Sequence, residues 1–225
     1  FKIRCAKFKV MHWLLRLLPL LLASTAASAH PVTFTGGFAA SSIHRPGMTH
    51  SQMNYTLHRK IAVGATHLRL RYLETPLEGS LGQMNVLLLR RNRSHSQANL
   101  YVSLGAGVVH EGTRFGDPLF LGGVQADFET DNFYTALMAM TIGTPKLLED
   151  PDALPVSVRS RVGLLPFDSG FESLQAWAVL QVDYQRLHET PWSTTPLLRF
   201  FYRNVLWEFG ASLDGKPWLH LMVHI

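Results

Sequence analysis

The stretch KPWLHLMVHI, residues 216–225, decides the fold of this chain. Successive side chains of an extended strand point to opposite faces, so the stretch divides into two sets. One face carries Leu219, Leu221, Val223 and Ile225. The other face carries Trp218, His220, Met222 and His224. Because an apolar face that continues to the last residue needs a cover, the stretch predicts the closing strand of a β-barrel.

The same alternation recurs upstream, in about twelve segments of about eight to eleven residues, the length that spans a bilayer when tilted. Clear examples are 52–58, 97–104, 124–129 and 176–184. Asp214-Gly215 is a hairpin signal that leads into the last strand. No segment after the first 29 residues shows helical periodicity. We expect an all-β fold, an antiparallel membrane β-barrel of about 12 strands, with eight to ten strands or a soluble lipocalin-like barrel as alternatives.

The polarity of the two faces distinguishes a membrane barrel from a soluble one. In a membrane barrel the apolar face meets lipid and the charged face lines a wet lumen. Tyr72, Tyr184 and Tyr202 come at strand ends on the apolar face, where membrane interfaces favour amphipathic rings. Small residues such as Ala98 and Ala176 on that face suit lipid better than a packed core. We expect an outer-membrane barrel, and a soluble periplasmic barrel that binds a lipophilic ligand is the alternative.

The first 29 residues have the pattern of a secretory signal peptide. An apolar block from Trp13 to Ala23 is interrupted only by Arg16 and Pro19, and the small residues Ala27-Ser28-Ala29 follow it. The block is too short for a transmembrane helix. We expect a signal peptide over 1–29, with Met11 as the natural start, and an outer-membrane barrel domain over 30–225.

The charge of the chain depends on this signal peptide. The formal net charge of the whole sequence is +5, but five of its 21 basic residues and none of its 16 acidic residues lie before residue 30. The exported part is therefore neutral, which disfavours a nucleic-acid partner. The single cysteine, Cys5, also lies in the signal peptide, so no disulfide is expected.

Several short motifs carry a resemblance to known proteins: His30-Pro31-Val32, Ser96-Gln97-Ala98-Asn99, Leu180-Gln181-Val182-Asp183 and Thr195-Pro196-Leu197-Leu198-Arg199. With these motifs the chain resembles Gram-negative outer-membrane β-barrels, and more narrowly an uncharacterised family of exported proteins that open with His-Pro-Val. The resemblance implies a barrel with outer-membrane lipid, the barrel assembly machinery and periplasmic chaperones as partners, and it supplies no functional residues. One departure is Ile225, since such barrels usually end on an aromatic residue.

The histidines do not form the pair that a strand-borne hydrolase needs. A base and a nucleophile two positions apart lie side by side on one strand face. No histidine from residue 30 onward is followed two positions later by serine, and His50-Ser51 and His95-Ser96 are adjacent instead. We therefore expect no enzymatic activity.

The closing strand has a candidate soft-metal site. His220, Met222 and His224 share one face, and imidazole with thioether suits copper. His50, His58 and His67 lie on strands near the closing seam and extend this candidate site. The alternative is that these histidines are lumen residues that hydrogen-bond to acids or water, with no cofactor.

Charged residues recur on the face expected to line the lumen. The basic residues are Arg69, Arg71, Arg159, Arg161, Arg199 and Arg203, and the acidic residues are Asp127, Glu129, Asp183 and Glu208. They predict either an anion-selective pore or an internal ion-pair network that fills the barrel. We expect a non-enzymatic barrel that is structural, or that passes or binds small solutes.

Overall fold

The computed structural model describes residues 30–71, 76–111, 114–149, 154–166, 173–186, 188 and 190–225. Its strands are β1 (Phe38–Arg45), β2 (Met48–His58), β3 (Ile61–Leu70), β4 (Leu77–Arg93), β5 (Ser96–Glu111), β6 (Arg114–Thr130), β7 (Phe133–Gly143), β8 (Val156–Leu164), β9 (Gln175–Gln185), β10 (Trp192–Tyr202), β11 (Val205–Ala211) and β12 (Pro217–His224). A five-residue helix, α1 (Pro145–Glu149), follows β7, where the sequence shows no helical periodicity. No helix within these ranges is long and apolar enough to cross a membrane.

The strands form one closed antiparallel barrel. Each strand pairs with its sequence neighbours, and β1 pairs with β12 to complete the circle. In β12, His220 lies opposite Ile43 of β1 on one side and Glu208 of β11 on the other. The predicted twelve-stranded barrel and its closing strand are confirmed, and the alternatives of eight to ten strands are wrong.

The barrel is apolar outside and polar inside. On β12, Leu219 and Leu221 are 50% and 48% exposed, whereas Trp218 and His224 on the opposite face are 3% and 1% exposed. Other exposed apolar side chains include Met53, Leu104, Leu137, Val162, Leu180, Leu198 and Phe209. Buried polar side chains include Asn54, Gln83, Asn99, Gln181, Asp183 and Glu208. A closed barrel with this polarity and an even number of strands is an outer-membrane β-barrel, and the soluble alternative is wrong.

Aromatic side chains lie near strand ends on the outer face. The ring centroid of Tyr184 lies 4.9 Å from that of Trp192, whose side chain is exposed. Tyr202, at the end of β10, is also exposed. These positions suit the two membrane interfaces. Tyr72, the third predicted interface tyrosine, lies outside the described residues.

The inner surface is not polar throughout. A cluster that we call the apolar wall consists of the buried residues Met48, Leu68, Leu70, Leu77, Leu81, Leu119, Leu121 and Ile142. Because Leu68 and Leu70 point inward, Arg69 points outward, and its Nε lies 3.0 Å from Glu78 Oε2. Arg71, just after β3, is exposed. The prediction that Arg69 and Arg71 line the lumen is therefore wrong, because β3 packs its aliphatic residues inward.

The residues before β1 enter the lumen. His30 and Val32 are buried, and Val32 packs with Ala62, Leu87 and Tyr101. Gly36 donates a backbone hydrogen bond to Thr56 at 2.8 Å. Its φ of 85° lies in the left-handed region that glycine tolerates. Residues 30–37 thus form a lead-in segment whose first part, 30–33, lies inside the barrel, whereas Phe34, Thr35 and Gly36 are exposed and β1 begins at Phe38.

The two ends of the barrel differ in their connections. At the end where β1 begins and β12 ends, four of the five connections are the two-residue turns Arg59-Lys60, Ser94-His95, Asp131-Asn132 and Arg203-Asn204, and the fifth spans 165–174. At the opposite end two of the six connections have two residues, 46–47 and 112–113, and the other four are longer, up to the β7–β8 connection over 144–155. Short turns are periplasmic in barrels of this kind, so the lead-in segment occupies the periplasmic end of the lumen.

Candidate functional site

Two buried carboxylates organise the centre of the lumen. Asp183 of β9 lies 3.0 Å from Arg45 Nη1 and 2.8 Å from Arg159 Nε. The side chains of all three residues are at most 8% exposed. Asp183 is thus shared by two guanidinium groups from different walls of the barrel.

Glu208 of β11 is the second centre, and it is fully buried. Its carboxylate accepts hydrogen bonds from Arg199 Nε at 2.5 Å and from Arg161 Nη1 at 3.2 Å. His220 Nδ1 lies 2.9 Å from the other carboxylate oxygen. We call these seven residues the charged ring: Arg45, Arg159, Arg161, Asp183, Arg199, Glu208 and His220.

Strand alternation places most of the charged ring. Arg159 and Arg161 are two positions apart on β8, so both point inward. Their guanidinium carbons lie 5.9 and 5.1 Å from the ring centroid of Trp218. Arg199 lies 4.2 Å over the ring of Tyr134. These aromatic faces hold the guanidinium planes in fixed orientations.

Six residues of the charged ring, all except Asp183, line a cavity of about 140 Å³. Its other walls include Gln52, Gln83, Asn85, Ser103, Gln125 and Met138. Among the described residues, three buried nitrogen atoms around this cavity lack a hydrogen-bond partner: Arg161 Nη2, His50 Nε2 and His220 Nε2. Buried polar atoms are rarely left unpaired, so this cavity is the candidate binding site.

The histidines of the predicted metal site do not all point to one place. His220 contacts Glu208, whereas His224 Nε2 lies 3.0 Å from Met222 Sδ. His50 flanks Ile43 at the level of His220, since both are register partners of Ile43. Within the described ranges, no cluster of three or more His, Cys, Asp or Glu side chains has the arrangement of a metal site. Copper binding by His220, Met222 and His224 stays a prediction.

The remaining histidines of that prediction lie elsewhere. His58, at the end of β2, is exposed. His67 lies on the outer face of β3, where its Nε2 is 3.7 Å from Glu78 Oε1. The suggestion that His58 and His67 converge with the closing strand is therefore wrong, because one is at a turn and the other points away from the lumen.

The remaining predicted lumen charges take three different positions. Asp127 of β6 is buried and accepts a hydrogen bond from Asn99 at 2.7 Å. Glu129 is half-buried on the same face of β6. Arg203 lies in the β10–β11 turn with a φ of 54°, and its guanidinium is 5.2 Å from the Tyr202 ring. The prediction that Arg203 lines the lumen is wrong, because the strand ends one residue before it.

Two buried residues, Arg45 and His30, have contacts that the sequence alone does not predict. Arg45 is the last residue of β1, next to the Pro46-Gly47 turn, and its partner Asp183 is 138 positions away. His30 Nε2 accepts a hydrogen bond from Asn99 Nδ2 at 3.2 Å, and its Nδ1 lies 3.6 Å from Asp127. Burial, and then the charge of Arg90, lowers the pKa of His30 to about 3, so its imidazole is neutral. No local signal in the sequence indicates either contact.

Comparison with known proteins gives only distant similarity. No protein-family model matches the chain, and no curated protein sequence matches it significantly. The chain is similar to the solved KdgM porin, including its complex with disordered oligogalacturonate, with a TM-score of 0.47, 9% identity and coverage of 84% of this chain and 97% of that one.

Two porin-like structures from Pseudomonas aeruginosa are also similar. OccK11 (OpdR) has a TM-score of 0.42 and 9% identity, covering 85% of this chain and 67% of its own. The outer membrane protein OprD has a TM-score of 0.40 and 8% identity, covering 85% of this chain and 65% of its own. Because every score is below 0.5, the assignment rests on the chain's own strand pairing and faces, which are those of an outer-membrane β-barrel.

Proposed function

We propose that this barrel is non-enzymatic and binds and passes small solutes through its lumen. The observation that carries the proposal is the buried cavity at the centre of the barrel, lined by the charged ring. The wall of this cavity is mixed, because the charged ring supplies ionised groups and Met48, Leu121 and Met138 supply apolar surface. The ionised groups favour small charged or polar solutes over purely lipophilic ones.

The size and charge of the lumen support small anions as the preferred solutes. The charged ring carries four arginines, Arg45, Arg159, Arg161 and Arg199, against two acids, Asp183 and Glu208. The ring therefore has an excess of positive charge. Rings of arginine favour anions in pores.

The same geometry supports the absence of catalysis. The acids of the charged ring are held by guanidinium groups at 2.5–3.2 Å, which keeps them ionised and unsuitable as proton donors. No described histidine has a serine two positions after it. The reverse pair, Ser42 and His44 on β1, has Oγ and Nε2 3.0 Å apart, but His44 Nδ1 lies 3.4 Å from Thr49 Oγ1 and not beside a described carboxylate that would orient it as a base.

Planar-bilayer recording of the purified barrel tests the proposal. We expect discrete conductance steps and, in a potassium chloride gradient, a reversal potential on the chloride-selective side. Arg161→Gln and Arg199→Gln should shift the reversal potential towards cations, whereas Arg203→Gln, in a turn, should not. A second variant without residues 30–36 should conduct more, because the lead-in segment no longer occupies the lumen. If neither form conducts, solute passage is wrong and a structural or purely binding role takes its place.

Copper binding is a second candidate function. It is favoured by the contact between His220 Nδ1 and Glu208, because histidine ligands usually donate their other ring N–H to a carboxylate. Elemental analysis after copper exposure tests it: bound copper should fall in the His220→Ala, His224→Ala double variant. Equal copper content in wild type and double variant would discard this candidate.

A further inference from the structure

A polar region interrupts the apolar outer face of the barrel near the extracellular ends of β1, β2, β3 and β4. It consists of two rows of side chains that are register partners from strand to strand. The first row is Ser42, Ser51, His67 and Ser80, and the second row is His44, Thr49, Arg69 and Glu78. We call these eight residues the polar patch. Their strand neighbours Arg45, Met48, Leu68, Leu77 and Leu81 are buried, so alternation places the polar patch outside.

Apolar side chains border the polar patch on two sides. In β12, Leu221 and Leu219 are the register partners of Ser42 and His44, and both leucines are exposed. The next outer row towards the periplasmic end consists of Ala40, Met53, Ala65 and Gly82. The outer surface therefore changes from apolar to polar between adjacent rows. Because acyl chains cover apolar surface, the polar patch begins where the neighbouring acyl chains end.

The inner face behind the polar patch is apolar. The apolar wall takes the following residues from these strands: Met48 of β2, Leu68 and Leu70 of β3, and Leu77 and Leu81 of β4. On β12 the polarity is the opposite, since Leu221 is exposed and His220 is buried. A sheet that is apolar inside and polar outside suits an environment of water or polar groups, and hydrocarbon does not provide one. The sequence of this whole sector thus matches a polar neighbour on the outside.

Positive charge exceeds negative charge at the polar patch. Its acid is Glu78, whose Oε2 lies 3.0 Å from Arg69 Nε and whose Oε1 lies 3.7 Å from His67 Nε2. The contact with Glu78 uses one of the five N–H donors of Arg69. Arg71, two positions after Arg69, is also exposed. Among the described side chains here, two guanidinium groups thus face one carboxylate, and the excess attracts an anion.

The other side chains of the polar patch form a hydrogen-bonding surface beside these arginines. Ser42 Oγ lies 3.0 Å from His44 Nε2 and 2.8 Å from Ser51 Oγ. His67 Nδ1 lies 3.1 Å from Ser80 Oγ. Each hydroxyl has one donor and two lone pairs, so these contacts leave capacity for further hydrogen bonds. Phosphate oxygens and sugar hydroxyls can use that capacity, whereas acyl chains cannot.

We propose that the polar patch and Arg71 bind the phosphate-bearing headgroup of a lipid in the extracellular leaflet. The phosphate accepts hydrogen bonds from the guanidinium groups of Arg69 and Arg71, whose fork geometry matches it. The acyl chains of the same lipid lie over Leu219, Leu221 and Met53. This binding surface is on the outside of the barrel, and it does not depend on the passage of solutes through the lumen.

The apolar border favours a lipid over a soluble phosphate or a second copy of this chain. A soluble phosphate contacts the arginines alone, whereas a lipid contacts both the arginines and the exposed leucines of β12. In a two-fold interface the polar patch would meet itself, which would bring the guanidinium groups of the two copies together.

Native mass spectrometry of the full-length folded barrel in a non-ionic detergent, with added bisphosphorylated lipid A, tests the inference. We expect saturable binding of one lipid per barrel, and much weaker binding of lipid A without its phosphates. Arg69→Gln should weaken binding about fivefold and the Arg69→Gln, Arg71→Gln double variant about 25-fold, the effect expected of arginines near anionic lipid. The matched control is Arg91→Gln, which removes an exposed arginine near the opposite end of β4 and should bind as wild type does.

A competition experiment separates the lipid from a soluble phosphate. Glucosamine 1-phosphate, which has no acyl chains, should not displace lipid A at an equal concentration. Displacement at that concentration would show that the phosphate alone is recognised, and the lipid assignment would be wrong.

The remaining outcomes decide whether the polar patch is the site. Equal affinity of wild type and the double variant, or an equal loss for Arg91→Gln, overturns it. Barrel dimers that disappear in the double variant would identify a second copy as the occupant and also overturn it. Heat-dependent mobility on a gel confirms that each variant is folded. The double variant should conduct in planar bilayers as wild type does, so a barrel that conducts without binding lipid leaves solute passage standing.

Discussion

The charged ring and the apolar wall lie in the same lumen and are held together by different physics. In the charged ring, Glu208 is fully buried among Arg161, Arg199 and His220. In the apolar wall, Leu68 and Leu70 are equally buried and belong to a cluster of apolar side chains. The difference teaches that the inside of this barrel has no single polarity. One half resembles an ion-filled pore and the other half resembles the core of a soluble protein.

The largest loss of stability should come from removing a charged side chain of the charged ring. Glu208→Ala leaves Arg161 and Arg199 buried without their common carboxylate, and breaking a buried pair in this way costs about 3–5 kcal/mol. We expect a large loss in the free energy of unfolding, measured by urea titration in detergent. Glu78→Gln is the control, since Glu78 is 37% exposed on the outer face. Equal stability of both variants would show that the ring does not stabilise the barrel.

A second prediction concerns the apolar wall. Leu68→Ala creates a cavity at a fully buried position, and such changes cost about 2–5 kcal/mol. Leu219→Ala removes the same atoms from an outer position that is 50% exposed, where lipid fills the space. The same urea titration should therefore show a clearly smaller loss for Leu219→Ala. If the two losses are equal, Leu68 faces lipid and the apolar wall is misplaced.

The comparison also explains how far the sequence predicts the fold. Alternation placed Leu219 and Leu221 outside and His220 inside, because lipid demands an apolar residue at every second position of a spanning strand. It failed on β3, since Leu68 and Leu70 are apolar but point inward. Alternation separates the side chains of a strand into two faces. It does not show which face is the lipid-facing one when the lumen also contains a cluster of apolar side chains.

The candidate site was predictable only in part for a related reason. Arg159, Arg161, Asp183 and Glu208 lie in regular strands, so their inward direction follows from their neighbours. The pairing among them depends on the register of strands that are far apart in sequence. His30 contacts Asn99 across 69 positions, and only the folded barrel brings them together. The buried atoms around the cavity that lack hydrogen-bond partners depend on how side chains from distant strands pack together. No short stretch of the sequence indicates that packing.

A third prediction uses acid to release the lead-in segment from the polar part of the lumen. The pKa of His30 is lowered from 6.5 to about 3 in the folded barrel, mainly by burial. The docked segment is therefore fully stabilised above pH 6.5, and it loses stability as the pH falls from 6.5 towards 3. We expect proteolysis within residues 30–37 to become faster over this range. His30→Phe should remove this pH dependence, and an unchanged acid profile in that variant would exclude His30 as its origin.

The smallest effect should come from an arginine that lies outside the lumen. Arg69 is 48% exposed and pairs with the exposed Glu78 at 3.0 Å, a geometry worth less than about 1 kcal/mol. Arg69→Gln should leave the free energy of unfolding nearly unchanged, whereas Arg161→Gln, the same substitution in the charged ring, should lower it measurably. Each variant removes one guanidinium group, and the two variants differ in whether that group lay on the outer face or inside the lumen. A large loss in the free energy of unfolding for Arg69→Gln, measured by urea titration, would indicate that Arg69 points into the lumen. The assignment of the two faces of β3 would then be wrong.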